Sequence, residues 1–192
     1  FNENWLLNNS MGLSLTESDF MFQAAVIYAE ADGMTSQAKL EAAAIYSVLE
    51  NRAKYENTSI NDQLTNAKGV YGVSSVDQIG LADGCGMSKK KNAVIAGVIL
   101  GKLSAQDFSN GAYYWDGSDF LKGGGHRDRY TPGYRFTDPS HDLFRQGDKV
   151  NEGSANGVKW KYKYKSTTAI GKTTFSKLTN EWKDAQFPGA AR

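Results

Sequence analysis

The sequence predicts an α+β fold, mostly helical with a small antiparallel β element. Two observations carry that prediction. Apolar residues recur at helical spacing in three stretches, within 14–33, 36–52 and 88–101. Val158 to Lys165 then alternates strictly, with Val158, Trp160, Tyr162 and Tyr164 on one face and Lys159, Lys161, Lys163 and Lys165 on the other, as a half-buried strand would.

Ser14-Leu-Thr-Glu17 reads as a capping box that opens the first helix. Phe20, Ala24, Ile27 and Tyr28 form its core-facing stripe, and Gly33 is expected to stop it. The second helix starts near Ser36, buries Leu40, Ala43, Ala44, Val48 and Leu49, and ends at Asn51-Arg52. Its three consecutive alanines allow a neighbour to pack closely. A short polar helix or turn follows around Ile60 to Leu64. Five glycines between residues 69 and 87 mark a loop, and ordered loops often carry sites. Ser88 caps a third helix with Ala93, Ala96, Val98 and Ile99 apolar and Gly101 at its end. Gly111 to Trp115 reads as a short aromatic strand, and residues 117–157 as a long loop region. Thr167 to Phe175 is the expected partner of the lysine-faced strand, turning near Gly171.

The chain has 192 residues, enough for one domain. With 40% hydrophobic residues, 22% charged and three prolines, it is not a disordered or fibrous chain. No apolar run approaches the roughly 18 residues of a membrane helix, so no membrane span is expected. Cys85 is the single cysteine, which excludes an intrachain disulfide and a thiolate-rich metal site. The net charge of +1 conceals a split: residues 1–88 hold 4 Lys/Arg against 11 Asp/Glu, and residues 89–192 hold 18 against 10. The first residue is Phe1 and no basic-then-apolar leader follows, so the sequence reads as a mature product or a domain of a longer protein.

Glu30 is the residue best placed for chemistry. It lies at the C-terminal end of the first helix, where the helix dipole disfavours a carboxylate, and Val26 and Ile27 lie one turn back to desolvate it. Both effects favour the protonated form, which a general acid needs near neutral pH. A solvated helix-end glutamate is the plain alternative.

Tyr28-Ala-Glu-Ala-Asp-Gly33, followed by Leu40-Glu-Ala-Ala-Ala-Ile-Tyr-Ser-Val-Leu-Glu-Asn51-Arg52, resembles the signature of the SleB-type cell wall hydrolases, the spore-cortex-lytic enzymes and their relatives. Gly69-Val-Tyr-Gly-Val-Ser-Ser75 stands where that family has an aromatic-containing loop. Asn110-Gly-Ala-Tyr-Tyr-Trp115 resembles its small-then-aromatic strand, and Ile170-Gly-Lys-Thr-Thr-Phe-Ser-Lys177 its closing Ile-Gly-Lys-His-x-Phe segment. Two departures stand out. Thr173 or Thr174 replaces the closing histidine, and an unmatched insertion spans about 117–168 within the single domain 1–192.

The resemblance implies a lysozyme-like domain that cleaves the β-1,4 bond between N-acetylmuramic acid and N-acetylglucosamine in peptidoglycan, as a lytic transglycosylase or a muramidase. Glu30 would be its catalytic acid. Asp116, after the aromatic run, is the candidate second carboxylate that hydrolysis normally needs. Asp32 is too close to Glu30 in sequence for that role. Tyr113, Tyr114 and Trp115 are candidate sugar platforms, although Tyr114 and Trp115 fit core packing equally well. Tyr71, Ser74 and Ser75 are candidate cleft residues by analogy with the family loop. Glu50 is expected to form structural ion pairs. No cofactor is implied. The expected partner is peptidoglycan, with an immunity or inhibitor protein if the chain is an antibacterial effector, and the expected location is secreted or delivered to the cell wall or periplasm. The basic second half would be drawn to wall anions.

Rival constellations are weaker. Cys85 with His126 or His141 suggests a Cys–His amidase, and a wall-binding module without catalysis is a further alternative. His126-Arg-Asp128 with His141-Asp142 matches no metal-ligand spacing, so no metal is expected. Lysines and aromatics on opposite strand faces argue against a nucleic-acid platform, which needs both on one surface.

Overall fold

The computed structural model describes residues 12–31, 36–66, 89–117, 151–155, 158–162 and 164–178. They form an α+β fold with four helices: α1 (Glu17–Glu30), α2 (Ala38–Glu56), α3 (Ile60–Asn66) and α4 (Lys89–Leu103). The strands are β1 (Tyr114–Gly117), β2 (Asn151–Ala155), β3 (Val158–Tyr162), β4 (Tyr164–Ile170) and β5 (Thr173–Leu178). An antiparallel sheet of order β1-β5-β4 and a separate β2-β3 ribbon complete the set. No helix among the described residues is long and apolar enough to cross a membrane.

α1 begins two residues later than the capping-box reading, because Thr16 rather than Ser14 is the cap. The Thr16 hydroxyl accepts the Asp19 N–H at 3.1 Å, whereas Ser14 takes a left-handed φ of 53°. The helix ends at Glu30, with Ala31 extended and its N–H bonded to the Ile27 carbonyl. Gly33 lies outside the described residues.

α2 is the central element. Every residue from Glu41 to Leu49 is buried, so this helix is enclosed on all sides rather than on one stripe. The expected apolar position Leu40 is instead 38% exposed, and its neighbour Glu41 is wholly buried. Asn51 and Arg52 do not end the helix, which runs on to Glu56 and closes at Asn57 in the left-handed conformation.

α4 packs along α2 at a distance only glycine permits. A Cβ on Gly97 would lie 2.5 Å from both the Ala42 Cβ and the Lys39 carbonyl, and one on Gly101 would lie 2.8 Å from the Tyr46 ring. Gly101 therefore does not terminate the helix, which continues to Leu103. The alanines expected to allow close packing do so through Ala42, opposite Gly97.

The strand expectations are only partly met. The aromatic segment is a strand from Tyr114, after a turn with left-handed Asn110 and Gly111. The alternating run is split into β3 and β4, and β3 pairs with β2, not with residues 167–175. Asn151–Ala155, read as loop, is that partner. The turn at Gly171 is real, but it joins β4 to β5. A register shift between Ser166 and Thr168 interrupts that pairing, and the intervening Thr167 hydroxyl donates to the Ser109 carbonyl at 2.7 Å. The bulge thereby fastens the sheet to the loop that leads into β1.

Candidate functional site

Glu30 ends α1 half-buried, and its partner comes from the far side of the fold. The Trp115 indole Nε1–H donates to Glu30 Oε2 at 3.2 Å, across 85 residues. β1 holds Trp115 there. It pairs with Phe175, which is fully buried in the core. Directly opposed residues share a sheet face, so Trp115 and Phe175 both face the helices.

Arg52 closes the cluster. Only 5% exposed, its guanidinium lies 5.7 Å from the Trp115 ring centroid and 5.6 Å from that of Tyr114. These distances suit cation–π attraction. The indole is thus gripped at its N–H by Glu30 and at its ring by Arg52. Eleven residues before Arg52, three turns along the same face of α2, lies Glu41. The Thr173 hydroxyl donates to Glu41 Oε1 at 2.5 Å, while Oε2 has no partner. Thr173, one of the two positions at which the resemblance leads one to expect histidine, here anchors β5 to α2.

The loop before β1 is fixed from α2. Asn51 Nδ2 donates to Asp107 Oδ2 at 2.9 Å and to the Ala112 carbonyl at 3.1 Å. Asp107 also accepts from the Ser109 hydroxyl and N–H and from the Gly111 N–H. Partial burial opposes its ionisation, but these hydrogen bonds prevail and hold its carboxyl below the ordinary value. Ser47, buried in α2, accepts the Phe108 N–H at 3.2 Å. Together these contacts set where β1 starts and hence where Trp115 points.

The sequence candidates separate accordingly. Glu30, Tyr114 and Trp115 come together, joined by Arg52. Asp116 pairs with Thr174, and strand alternation puts it on the opposite face of β1 from Trp115. Tyr113 packs edge-on against Tyr55, with centroids 5.8 Å apart. Tyr71, Ser74, Ser75, Asp32, Cys85, His126 and His141 lie outside the described residues. Lys54 and Lys102 are the cations that act on Glu50. Burial raises its carboxyl above the ordinary value, against the opposing pull of Lys54 and Lys102. No trio of His, Cys, Asp or Glu among the described residues is grouped to hold a metal.

Sequence reasoning missed the roles of Asn51, Arg52 and Glu41. Asp107-Gln-Phe-Ser109-Asn-Gly111 does carry the Asx-turn chemistry that could have signalled an anchored loop. No family model matches the chain, and neither does any curated protein or solved structure.

Proposed function

We propose that the chain cleaves the glycan strand of peptidoglycan at the bond between N-acetylmuramic acid and N-acetylglucosamine, in a lysozyme-like arrangement with Glu30 as general acid. The observation that carries this reading is the Trp115–Glu30 hydrogen bond. It sets a helix-end carboxyl against the Trp115 indole, and sugars commonly stack on such rings. Arg52 braces that ring.

In this mechanism Glu30 gives its proton to the glycosidic oxygen as the bond to the muramic anomeric carbon breaks. The N-acetylglucosamine side leaves as an alcohol. The resulting carboxylate takes the proton of the muramic 6-hydroxyl, whose oxygen closes on the anomeric carbon to form a 1,6-anhydro ring. One carboxyl serves both steps. A hydrolytic route would need a second carboxyl across the sugar, and Asp116 on the other strand face gives that route less support. The transglycosylase form is therefore preferred.

Replacing Glu30 by Gln tests the assignment. Release of soluble muropeptides should fall by at least about a hundredfold, while folding and wall binding persist. Unchanged release would remove Glu30 from the chemistry. The basic half would hold the enzyme to the anionic wall, so reversing Lys159, Lys161, Lys163 and Lys165 to Glu should weaken sedimentation with purified walls at low salt and matter little at high salt. Salt-independent binding in both forms would reduce the charge split to solvation.

A further inference from the structure

Across α2 from the Trp115–Glu30 cluster lies a cleft of about 530 Å³ between α1, α2, α3 and the end of α4. Tyr46 and Glu50 line it from α2, Gln23 from α1, and Lys54 and Lys102 stand with them. The helical period sets Tyr46 and Glu50 on the side of α2 away from Glu41 and Arg52, so the cleft is separate from the candidate site.

Two of its buried polar atoms lack partners. The Tyr46 hydroxyl is buried with no hydrogen-bond partner, and so is Gln23 Oε1, although Gln23 Nε2 is held by Asn61 at 2.8 Å. Glu50 is half-buried and feels the charges of Lys54 and Lys102. Unpartnered buried polar groups cost stability. Their concentration in one cleft marks a place where a ligand supplies the missing partners.

The signs of the charges narrow the ligand. A simple cation would meet Lys54 and Lys102, and a simple anion would meet Asp19 and Glu50. We propose that this cleft is a second binding site, for a group that presents an ammonium beside a carboxylate. The ammonium donates to Glu50, with the Gln23 amide oxygen as a further acceptor, and the carboxylate accepts from Lys54 and Lys102. Resting on the glycan-cleaving reading, the ligand is the free end of a diamino acid in the wall's peptide stems, which carries that pair. The cleft then acts as an exosite for peptide while Glu30 works on sugar.

The test is an NMR titration of the full chain with a stem tripeptide ending in diaminopimelate. Shift changes should centre on residues 46–61 and Lys102. Affinity should fall about tenfold in E50Q and likewise in K102M, and tripeptides acetylated on the side-chain ammonium or amidated on its neighbouring carboxylate should lose binding. Blocked peptides that bind equally, or affinities within about twofold of wild type in both variants, would overturn the proposal. The E30Q chain separates the two readings. It should bind the tripeptide as wild type does, whether or not it has lost glycan cleavage. Loss of peptide binding in E30Q would place the peptide at the candidate active site and overturn the exosite.

Discussion

The Trp115 indole N–H and the Glu30 carboxylate meet at 3.2 Å although 85 residues separate them. Neither residue could find the other without the elements that carry them. Glu30 is delivered by the end of α1, and Trp115 by a strand whose entry is pinned by Asn51 and whose ring is braced by Arg52. The contact is thus a joint product of α1, α2 and the sheet.

Trp115→Phe removes the N–H of that contact while keeping an aromatic ring on β1. A hydrogen bond of this kind contributes about 0.5–1.5 kcal/mol, so kcat/KM on soluble glycan strands should fall about two- to tenfold. The thermal midpoint should move by no more than a few degrees. Wild-type kcat/KM in Trp115→Phe would mean that the bond does not orient Glu30.

Gly97→Ala tests the packing that holds α2 in place. In an exposed helix this exchange stabilises by roughly 1 kcal/mol. Here the new methyl would overlap Ala42 and the Lys39 backbone at 2.5 Å, so the sign should reverse, with about 1–3 kcal/mol of destabilisation in urea unfolding. Gly101→Ala should cost less, because it meets a side-chain ring, that of Tyr46, rather than backbone.

Asp107 and Glu50 should leave opposite signatures in stability against pH. Despite partial burial, hydrogen bonds depress the Asp107 carboxyl in the folded chain. Its contribution is present above the ordinary carboxylate value and is lost as pH falls through the lower folded one. Burial raises the Glu50 carboxyl, so stability declines as pH rises from the ordinary value through the higher folded one. In unfolding series from about pH 3 to 7, D107N should lose stability at the upper end, and E50Q should gain it there. The reverse order would contradict the assigned environments. A gain in E50Q would also fit a cleft residue retained for binding at the expense of stability.

Much of the helical frame was legible because it rests on local rules. The stripe of α1, the place of Glu30 at its end and the short α3 all follow from spacing and caps. The errors came where tertiary contact overrode those rules. Glu41 is buried beside an exposed Leu40, with Thr173 on β5 as a partner for its carboxyl that spacing cannot reveal. Gly101 reads as a stop signal but is a contact glycine, which only the nearness of Tyr46 explains. The polar, glycine-containing Asn151–Ala155 reads as loop, yet it pairs with β3. At the site, Glu30, Tyr114 and Trp115 were each visible from local pattern or resemblance. Their meeting was not, because it depends on Asn51 and Arg52 in a helix that continues one turn further than its pattern suggests.

Mass analysis of purified peptidoglycan digested by wild type and by E30Q tests the proposed role of Glu30 in glycan cleavage. Wild type should release muropeptides that lack one water relative to a reducing end, the mark of a 1,6-anhydro ring, and E30Q should release essentially none. The same products from E30Q, or new peptide amino termini without new sugar ends, would remove Glu30 from glycan cleavage.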